Sequence, residues 1–165
     1  MSADSTFRIR SVLRPGDLGS IIRLHGSVYG VEYGWDHTFE AMVAEGLARF
    51  VLADEGARRL WVAERDGVVA GCIAIVGQPD GTAQLRWFLV DPAHRGAGIG
   101  RTLLDKALAF CRAGGSRSVF LWTVKGLDAA AHLYRSAGFA VTQEETRVRW
   151  GAAVTEQRYD LALCQ

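Results

Sequence analysis

The spacing of apolar positions changes along the chain, and each spacing predicts an element. Residues 7–13 alternate apolar with basic side chains, as an edge strand does. After Pro15, apolar residues recur at helical spacing to near Gly30, and a second helical stretch follows Thr38, whose hydroxyl is suited to cap it. The turn dipeptide at 66–67, Asp-Gly, then joins strands at 59–65 and 68–76 into a hairpin.

The second half of the chain alternates predicted strands and helices. A strand over 83–90 leads through a glycine-rich turn into an amphipathic helix that opens at Arg101. Further elements follow: a strand at 118–124, a short helix at 128–136, and a closing pair of strands at 139–150 and 153–163. This order predicts an α/β (α+β) fold, with a single domain over residues 1–165.

Charge and hydropathy exclude several classes of protein. The 165 residues carry 19 Lys and Arg against 18 Asp and Glu, so no overall field favours nucleic acid or an acidic membrane surface. No apolar run approaches the ~20 residues of a membrane span, and residues 1–10 lack the apolar core of a signal peptide. We therefore expect a cytoplasmic protein with neither a nucleic-acid nor a membrane partner.

The three cysteines are Cys72, Cys111 and Cys164. They are odd in number, far apart and set among apolar residues, which favours reduced thiols in the core. We expect no disulfide and no metal site.

Residues 95–100 read Arg-Gly-Ala-Gly-Ile-Gly, between a strand and a helix. Unpaired amides and the helix dipole at such a junction favour an anion, a phosphate above all. A triphosphate P-loop requires Lys after its last Gly, where this chain has Arg101, and the glycine spacing differs from that of a dinucleotide fingerprint. A tight turn that only brings the helix close remains the alternative.

The sequence resembles the GNAT superfamily of N-acyltransferases in two places. Arg95, Gly98 and Gly100 match its acetyl-CoA-binding motif, and Tyr134 stands four residues before a Gly-Phe pair, as in the family. The resemblance implies the GNAT fold, with a mixed sheet of six to seven strands, four flanking helices and a splay between strands four and five. Residues 32–40 are more narrowly similar to GNAT domains fused to MarR-type regulators.

The resemblance also implies acetyl-CoA as cosubstrate and gives roles to particular residues. The expected pyrophosphate cradle is Arg95, Gly96, Ala97, Gly98, Ile99, Gly100 and Arg101. The main chain of Leu89 and Val90 would lie along the pantetheine arm, beside a bulge whose free N–H polarises the acetyl carbonyl. Tyr134 would donate a proton to the departing thiolate, although a tyrosine at this helical position also suits simple core packing.

The general base is harder to place, because two residues depart from the family. Gln84 stands near the position of a common family Glu, and Leu127 replaces a common family Asn. We take Glu32 as the candidate base. His25, Asp36 and Glu40 remain alternatives, since no geometry follows from sequence alone.

The acceptor site is expected beside the first two helices. Tyr33, Trp35 and Asp36 combine aromatic rings with an acid, which suits a cationic amine. Arg86 and Trp87 should point to opposite faces if their strand is regular, and an inward Arg86 would bind a carboxylate. The expected acceptor is a small-molecule, amino-acid-like primary amine. The alternatives are a protein lysine or N-terminus, or a non-catalytic acyl-CoA sensor; a homodimer is also considered.

Overall fold

The computed structural model describes residues 7–54 and 56–163, which form one mixed sheet flanked by four helices. The strands are β1 (Arg8–Arg10), β2 (Arg58–Arg65), β3 (Val68–Gly77), β4 (Thr82–Val90), β5 (Ser118–Val124), β6 (Ala140–Arg149) and β7 (Ala152–Ala162). The helices are α1 (Asp17–Tyr33), α2 (His37–Leu52), α3 (Ile99–Ala113) and α4 (Asp128–Ser136), and a short 3-10 turn covers Pro92–His94.

The strand order in the sheet is β1-β2-β3-β4-β5-β7-β6. All neighbouring strands are antiparallel except β4 and β5, whose parallel pairing covers only residues 82–84 and 118–120. Beyond Gln84 the two strands share no ladder, so the sheet opens between them. This confirms the predicted fold, with seven strands and a splay between the fourth and fifth.

Helices cover both faces of the central strands. Along β2, Trp61 packs into the core formed with α3 and α4, whereas Val62 packs into the core formed with α1 and α2. Successive side chains of a strand point to opposite faces, so a strand covered on both sides is apolar throughout. This explains the nearly continuous apolar runs of β2 and β3.

Three helix boundaries differ from the sequence-based prediction. Helix α1 passes Gly30 and ends at Gly34, which adopts the left-handed conformation (φ 69°) while its amide bonds the Gly30 carbonyl. The cap of α2 is Asp36 rather than Thr38, because the Asp36 carboxylate accepts from the Thr38 amide. Helix α3 begins at Ile99, two residues before Arg101.

A buried ionic cluster fixes the shortened first strand. Arg10 donates to Asp17 at the start of α1 (Nη1 to Oδ2, 2.7 Å) and to Glu64 in β2 (Nε to Oε2, 2.8 Å). All three side chains are no more than 10% exposed. The Arg10 guanidinium lowers the pKa of both carboxyls. The cluster therefore joins β1, α1 and β2 only while its acids are ionised.

Cys72 and Cys111 are buried free thiols, as predicted, and burial raises their pKa to about 12 and about 11. Cys164 lies outside the described residues. None of the helices within 7–54 and 56–163 combines the length and apolar character required to cross a membrane.

Candidate active site

The turn between β4 and α3 contains positions whose backbone conformation favours glycine. Gly96 (φ 82°) and Gly98 (φ 80°) are both left-handed, and Gly98 is the N-cap of α3 without a side-chain cap. The first amides of α3 are therefore free for a ligand. A Cβ on Gly100 would lie 2.9 Å from Leu133 Cδ1, so glycine there also lets α4 approach the turn.

Beside this turn lies a cavity of about 360 Å³, here named the loop cavity. Eight of the predicted cofactor-binding residues line it: Leu89, Val90, Arg95, Gly96, Gly98, Ile99, Gly100 and Arg101. Ala97 is exposed and outside this lining. His94 also lines the cavity, and its Nδ1 is a buried nitrogen with no hydrogen-bond partner in the described part of the chain.

These features fit an acyl-CoA. The free amides of α3 suit a pyrophosphate. Val28, Leu89 and Leu133 line the same cavity with apolar surface, which suits a pantetheine arm.

A larger cavity of about 530 Å³, here named the acceptor cavity, lies where β4 and β5 separate. Helices α1 and α2 form one wall, and β6 and β7 form another. Tyr29, Phe88 and Leu127 line both cavities. Two ligands, one in each cavity, would therefore meet at these three residues.

Stacked aromatic rings form the inner wall of the acceptor cavity. The Trp35 ring lies 4.9 Å from that of Tyr29 and 4.5 Å from that of Trp150, and Phe39 packs edge-on against both Trp35 and Trp150. Trp150, in the turn between β6 and β7, was not foreseen from the sequence. No local signal places that turn against α1, because the contact exists only once the sheet has formed.

Tyr134 lies beneath the acceptor cavity and is 4% exposed. Its ring contacts those of Phe88, Phe139 and Tyr159. Burial raises the pKa of the Tyr134 phenol above its ordinary value, so the hydroxyl keeps its proton at neutral pH. That is the protonation state a proton donor requires.

The structure separates the residues predicted as base and acceptor contacts. Glu32 and Tyr33 line the loop cavity, and Glu32 is ion-paired with Arg95 (2.7 Å). Asp36 lines neither cavity, because its carboxylate caps α2.

Glu40 also lies away from both cavities. It packs so closely on α1 that a Cβ on Gly26 would be 2.8 Å from its carboxyl carbon. Of the four candidate bases, His25 is the one that lines the acceptor cavity.

A bulge in β4 corrects the expected orientation of Arg86 and Trp87. Ala74 pairs with Arg86 and Cys72 with Leu89, so β4 advances three residues while β3 advances two. Trp87 takes a left-handed conformation (φ 47°), and its carbonyl accepts from the Cys72 thiol at 3.1 Å. The predicted bulge is therefore present.

Because β4 is irregular here, Arg86 and Trp87 do not point to opposite faces. The Arg86 guanidinium lies 4.3 Å from the centre of the Trp87 ring, and both side chains reach Gly46 of α2. Both also line the acceptor cavity. No carboxylate among the described residues forms an ion pair with the half-buried Arg86, so its charge is free for a ligand.

Charged and polar side chains form the outer wall of the acceptor cavity. The sequence did not predict this wall. It consists of Gln143, Glu145, Arg147 and Arg149 of β6 with Glu156 of β7. The Glu156 carboxylate forms ion pairs with Arg147 (3.0 Å) and Arg149 (2.8 Å). Alternate residues of β6 carry this pattern, but the sequence does not say which face of the strand meets a cavity.

Comparison with known proteins identifies the family. The model of the Acetyltransferase (GNAT) family matches residues 24–139. The chain belongs to the GNAT family. This confirms the resemblance seen in the sequence, and the match includes both the glycine turn and Tyr134.

Relatives of this GNAT chain differ in what they acetylate. It is 37% identical over 83 residues to the IAA acetyltransferase of Azospirillum brasilense. The aligned segment covers 50% of this chain and 54% of that protein. It is 29% identical over 170 residues to the streptothricin acetyltransferase of Streptomyces lavendulae, covering 90% and 89% of the two chains.

Solved structures agree in fold. A GNAT acetyltransferase from Staphylococcus aureus has a TM-score of 0.78 at 18% identity and covers 96% of this chain and 100% of its own. A Salmonella typhimurium protein solved with its cofactor acetyl-CoA has a TM-score of 0.74 at 23% identity, covering 96% and 95% of the two chains.

Proposed function

We propose that this protein transfers the acetyl group of acetyl-CoA directly to a primary amine of a small molecule. The observation that carries the proposal is the junction of the two cavities at Tyr29, Phe88 and Leu127. The loop cavity has a cradle for the CoA pyrophosphate, and the acceptor cavity opens onto the same point. An amine in one cavity therefore meets a thioester in the other without a covalent enzyme intermediate.

Each part of the junction has a role in transfer. The loop from Arg95 to Arg101 binds the pyrophosphate, and the main chain of Leu89 and Val90 flanks the pantetheine arm. The β4 bulge frees an amide that stabilises negative charge on the acetyl oxygen as the amine attacks. Tyr134 donates its phenolic proton to the departing sulfur.

The ion pair with Arg95 changes the role that we propose for Glu32 in this mechanism. The Glu32 carboxylate is bound to the Arg95 guanidinium at 2.7 Å and lines the loop cavity, so it does not face an amine in the acceptor cavity. Glu32 instead orients Arg95 at the mouth of the loop cavity. This positioning role replaces that of general base, and Tyr33 beside it contacts the cofactor.

The acceptor is a carboxylate-bearing amine resembling an amino acid. Arg86 is half-buried in the acceptor cavity, and no carboxylate of residues 7–54 or 56–163 forms an ion pair with it, so it offers a guanidinium to a ligand. Trp35 and its aromatic neighbours supply a surface for the carbon skeleton and the amine. Arg86 and Trp35 thus select the substrate from two sides of the same cavity.

A thiol-release assay with matched amines tests this function. Each amino acid is paired with its decarboxylated amine, for example phenylalanine with phenethylamine, and acetylated product is measured in parallel. We expect kcat/KM to be roughly 10- to 100-fold higher for the carboxylate-bearing member, because a charged hydrogen bond contributes about 1.5–3 kcal/mol. Arg86→Gln should remove the difference, whereas Arg112→Gln on the exposed face of α3 should retain it.

Other results would redirect the proposal. Activity confined to peptides with a free N-terminus or lysine would make the protein a protein acetyltransferase. Tight acetyl-CoA binding without turnover of any amine or peptide would make it an acyl-CoA sensor. Equal kcat/KM for both members of every pair would show that Arg86 does not bind the acceptor.

A further inference from the structure

We propose that Nε2 of His25 is the proton acceptor for the attacking amine. The inference rests on the proposed function, because it concerns the same acceptor cavity. His25 lies in α1, one helical turn before Tyr29, which borders both cavities. No residue of the family motifs lies at this position.

The tautomer of His25 follows from its one hydrogen bond. Nδ1 lies 2.9 Å from the carbonyl oxygen of Ile21 in the preceding turn. A carbonyl oxygen only accepts, so Nδ1 carries the ring proton. Nε2 of the neutral ring therefore bears a lone pair, as a proton acceptor must.

Nε2 is open to the acceptor cavity. The His25 side chain is almost wholly buried, at 3% exposure, and it lines this cavity. In the described ranges, the one buried side-chain nitrogen or oxygen without a partner is His94 Nδ1. Nε2 of His25 also has no hydrogen-bond partner within these ranges, yet it is not fully enclosed, so part of its surface stays exposed. We place that surface at the cavity that the ring lines.

The ring is also held in place and kept neutral. It stacks on Tyr29 with centroids 6.2 Å apart and planes inclined by 22°. Burial lowers the pKa of His25 to about 4, so the imidazole is unprotonated throughout the physiological range. It is thus oriented and in the accepting state before the amine enters.

The two carboxylates of the cavity are bound to arginines, and its remaining polar groups within 7–54 and 56–163, His25 aside, offer no neutral basic nitrogen. Glu145 and Glu156 are ion-paired with Arg147, and Glu156 also with Arg149. Gln84 is not a base. Arg86 is a cation, and Tyr29 and Tyr134 keep their protons because burial raises the pKa of both phenols. Among the cavity-lining groups in the described part of the chain, only His25 has a neutral side chain with a basic nitrogen lone pair.

The proton balance is as follows. The ammonium group of the acceptor first loses one proton to solvent, and the neutral amine then forms the N–C bond. The nitrogen, now acidic, gives its next proton to Nε2. The C–S bond breaks with its electron pair going to sulfur, and sulfur takes the Tyr134 proton. The imidazolium then returns a proton to the Tyr134 phenolate through solvent in the cavity, leaving amide, thiol and the original enzyme. A ring of low basicity suffices because it acts after the N–C bond has formed.

His25→Asn tests the assignment. Its side-chain amide can still donate to the Ile21 carbonyl, but it has no basic nitrogen. We expect kcat to fall about 10²- to 10⁴-fold, while the Kd of acetyl-CoA measured by calorimetry changes less than about twofold. His37→Asn, on an exposed histidine at the start of α2, should leave kcat unchanged.

Chemical rescue separates proton transfer from packing. His25→Ala leaves space for a free imidazole, which should restore acetylation of the amine in a concentration-dependent manner. The acetylated amine is quantified by mass spectrometry, since imidazole itself attacks thioesters. A merely structural histidine would give no such recovery, even where His25→Asn lowers stability.

Two results overturn the assignment, and they are distinguishable from failure of the proposed function. The first is an active wild type with an equally active His25→Asn. The second is a folded, acetyl-CoA-binding His25→Ala that imidazole does not rescue. A wild type that binds acetyl-CoA but acetylates no amine would instead overturn the proposed function and the assignment together.

Discussion

Individual residues of this site are tuned by burial rather than by ion pairs. Tyr134 and His25 both lie beneath the acceptor cavity, and loss of water stabilises the neutral form of each. One neutral group can therefore donate a proton and the other can accept one. By contrast Glu32, which the sequence favoured as base, is bound to Arg95 at the loop cavity.

Tyr134→Phe should lower kcat about 10²-fold or more and leave the Kd of acetyl-CoA nearly unchanged. The reason is that the substitution removes only the hydroxyl that we propose protonates the leaving sulfur. Steady-state kinetics and calorimetry check the two quantities. The matched control is Tyr159→Phe, a neighbouring buried tyrosine outside both cavity linings. An unchanged kcat in Tyr134→Phe would show that Tyr134 only packs in the core.

At the scale of elements, the ends of strands and helices position the chemistry. The β4 bulge brings Arg86 and Trp87 to the same cavity, and Gly46 of α2 makes room for both side chains. The family resemblance implied the bulge, but the sequence did not predict that Arg86 and Trp87 would lie on the same side of β4. Alternation along a strand is a local rule, and a bulge is decided by how the strand fits its neighbours.

The ionic cluster of Arg10, Asp17 and Glu64 gives an element-scale prediction. Arg10→Met should lower the Tm by about 5 °C at neutral pH, because two buried carboxylates lose their partner. The folded-state pKa of both acids is lowered, so their contribution is present above their unfolded pKa and is lost as pH falls through the folded value.

The difference in Tm between wild type and Arg10→Met should therefore shrink in acid, as thermal unfolding between pH 7 and about pH 3 would measure. Arg8→Met, an exposed neighbour on β1, should change the Tm by much less. A difference that stayed constant down to acid pH would show that Arg10 stabilises through packing and not through its charge.

At the scale of the whole molecule, the fold places the loop cavity and the acceptor cavity side by side, with three lining residues in common. The sheet separates where β4 and β5 stop pairing, α1 and α2 close one side, and the β6–β7 hairpin closes the other. Each cavity draws residues from distant parts of the chain. Binding in the loop cavity should therefore stabilise the entire fold.

Acetyl-CoA at about 100 times its Kd should add roughly 2.7 kcal/mol to the free energy of unfolding and raise the Tm by about 5–10 °C. Gly98→Asp should abolish this shift, because it sets a negative side chain in the proposed pyrophosphate cradle. Gly16→Asp is the matched control: Gly16 is also a left-handed helix N-cap with open space around it, but outside both cavities. A ligand-induced shift retained in Gly98→Asp would contradict the cradle.

The sequence by itself determined the order of elements, the glycine turn and the family. These depend on local rules: apolar periodicity, turn dipeptides, and the backbone freedom of residues such as Gly98. The likeness of residues 32–40 to regulator-fused domains and the homodimer stay predictions.

Only the tertiary structure decided which polar groups share a cavity. It placed His25 and Arg86 in the lining of one cavity and Glu32 in the lining of the other, and it added Trp150 and the β6 wall to the first. Such placement depends on contacts between residues far apart in sequence, which no local pattern encodes.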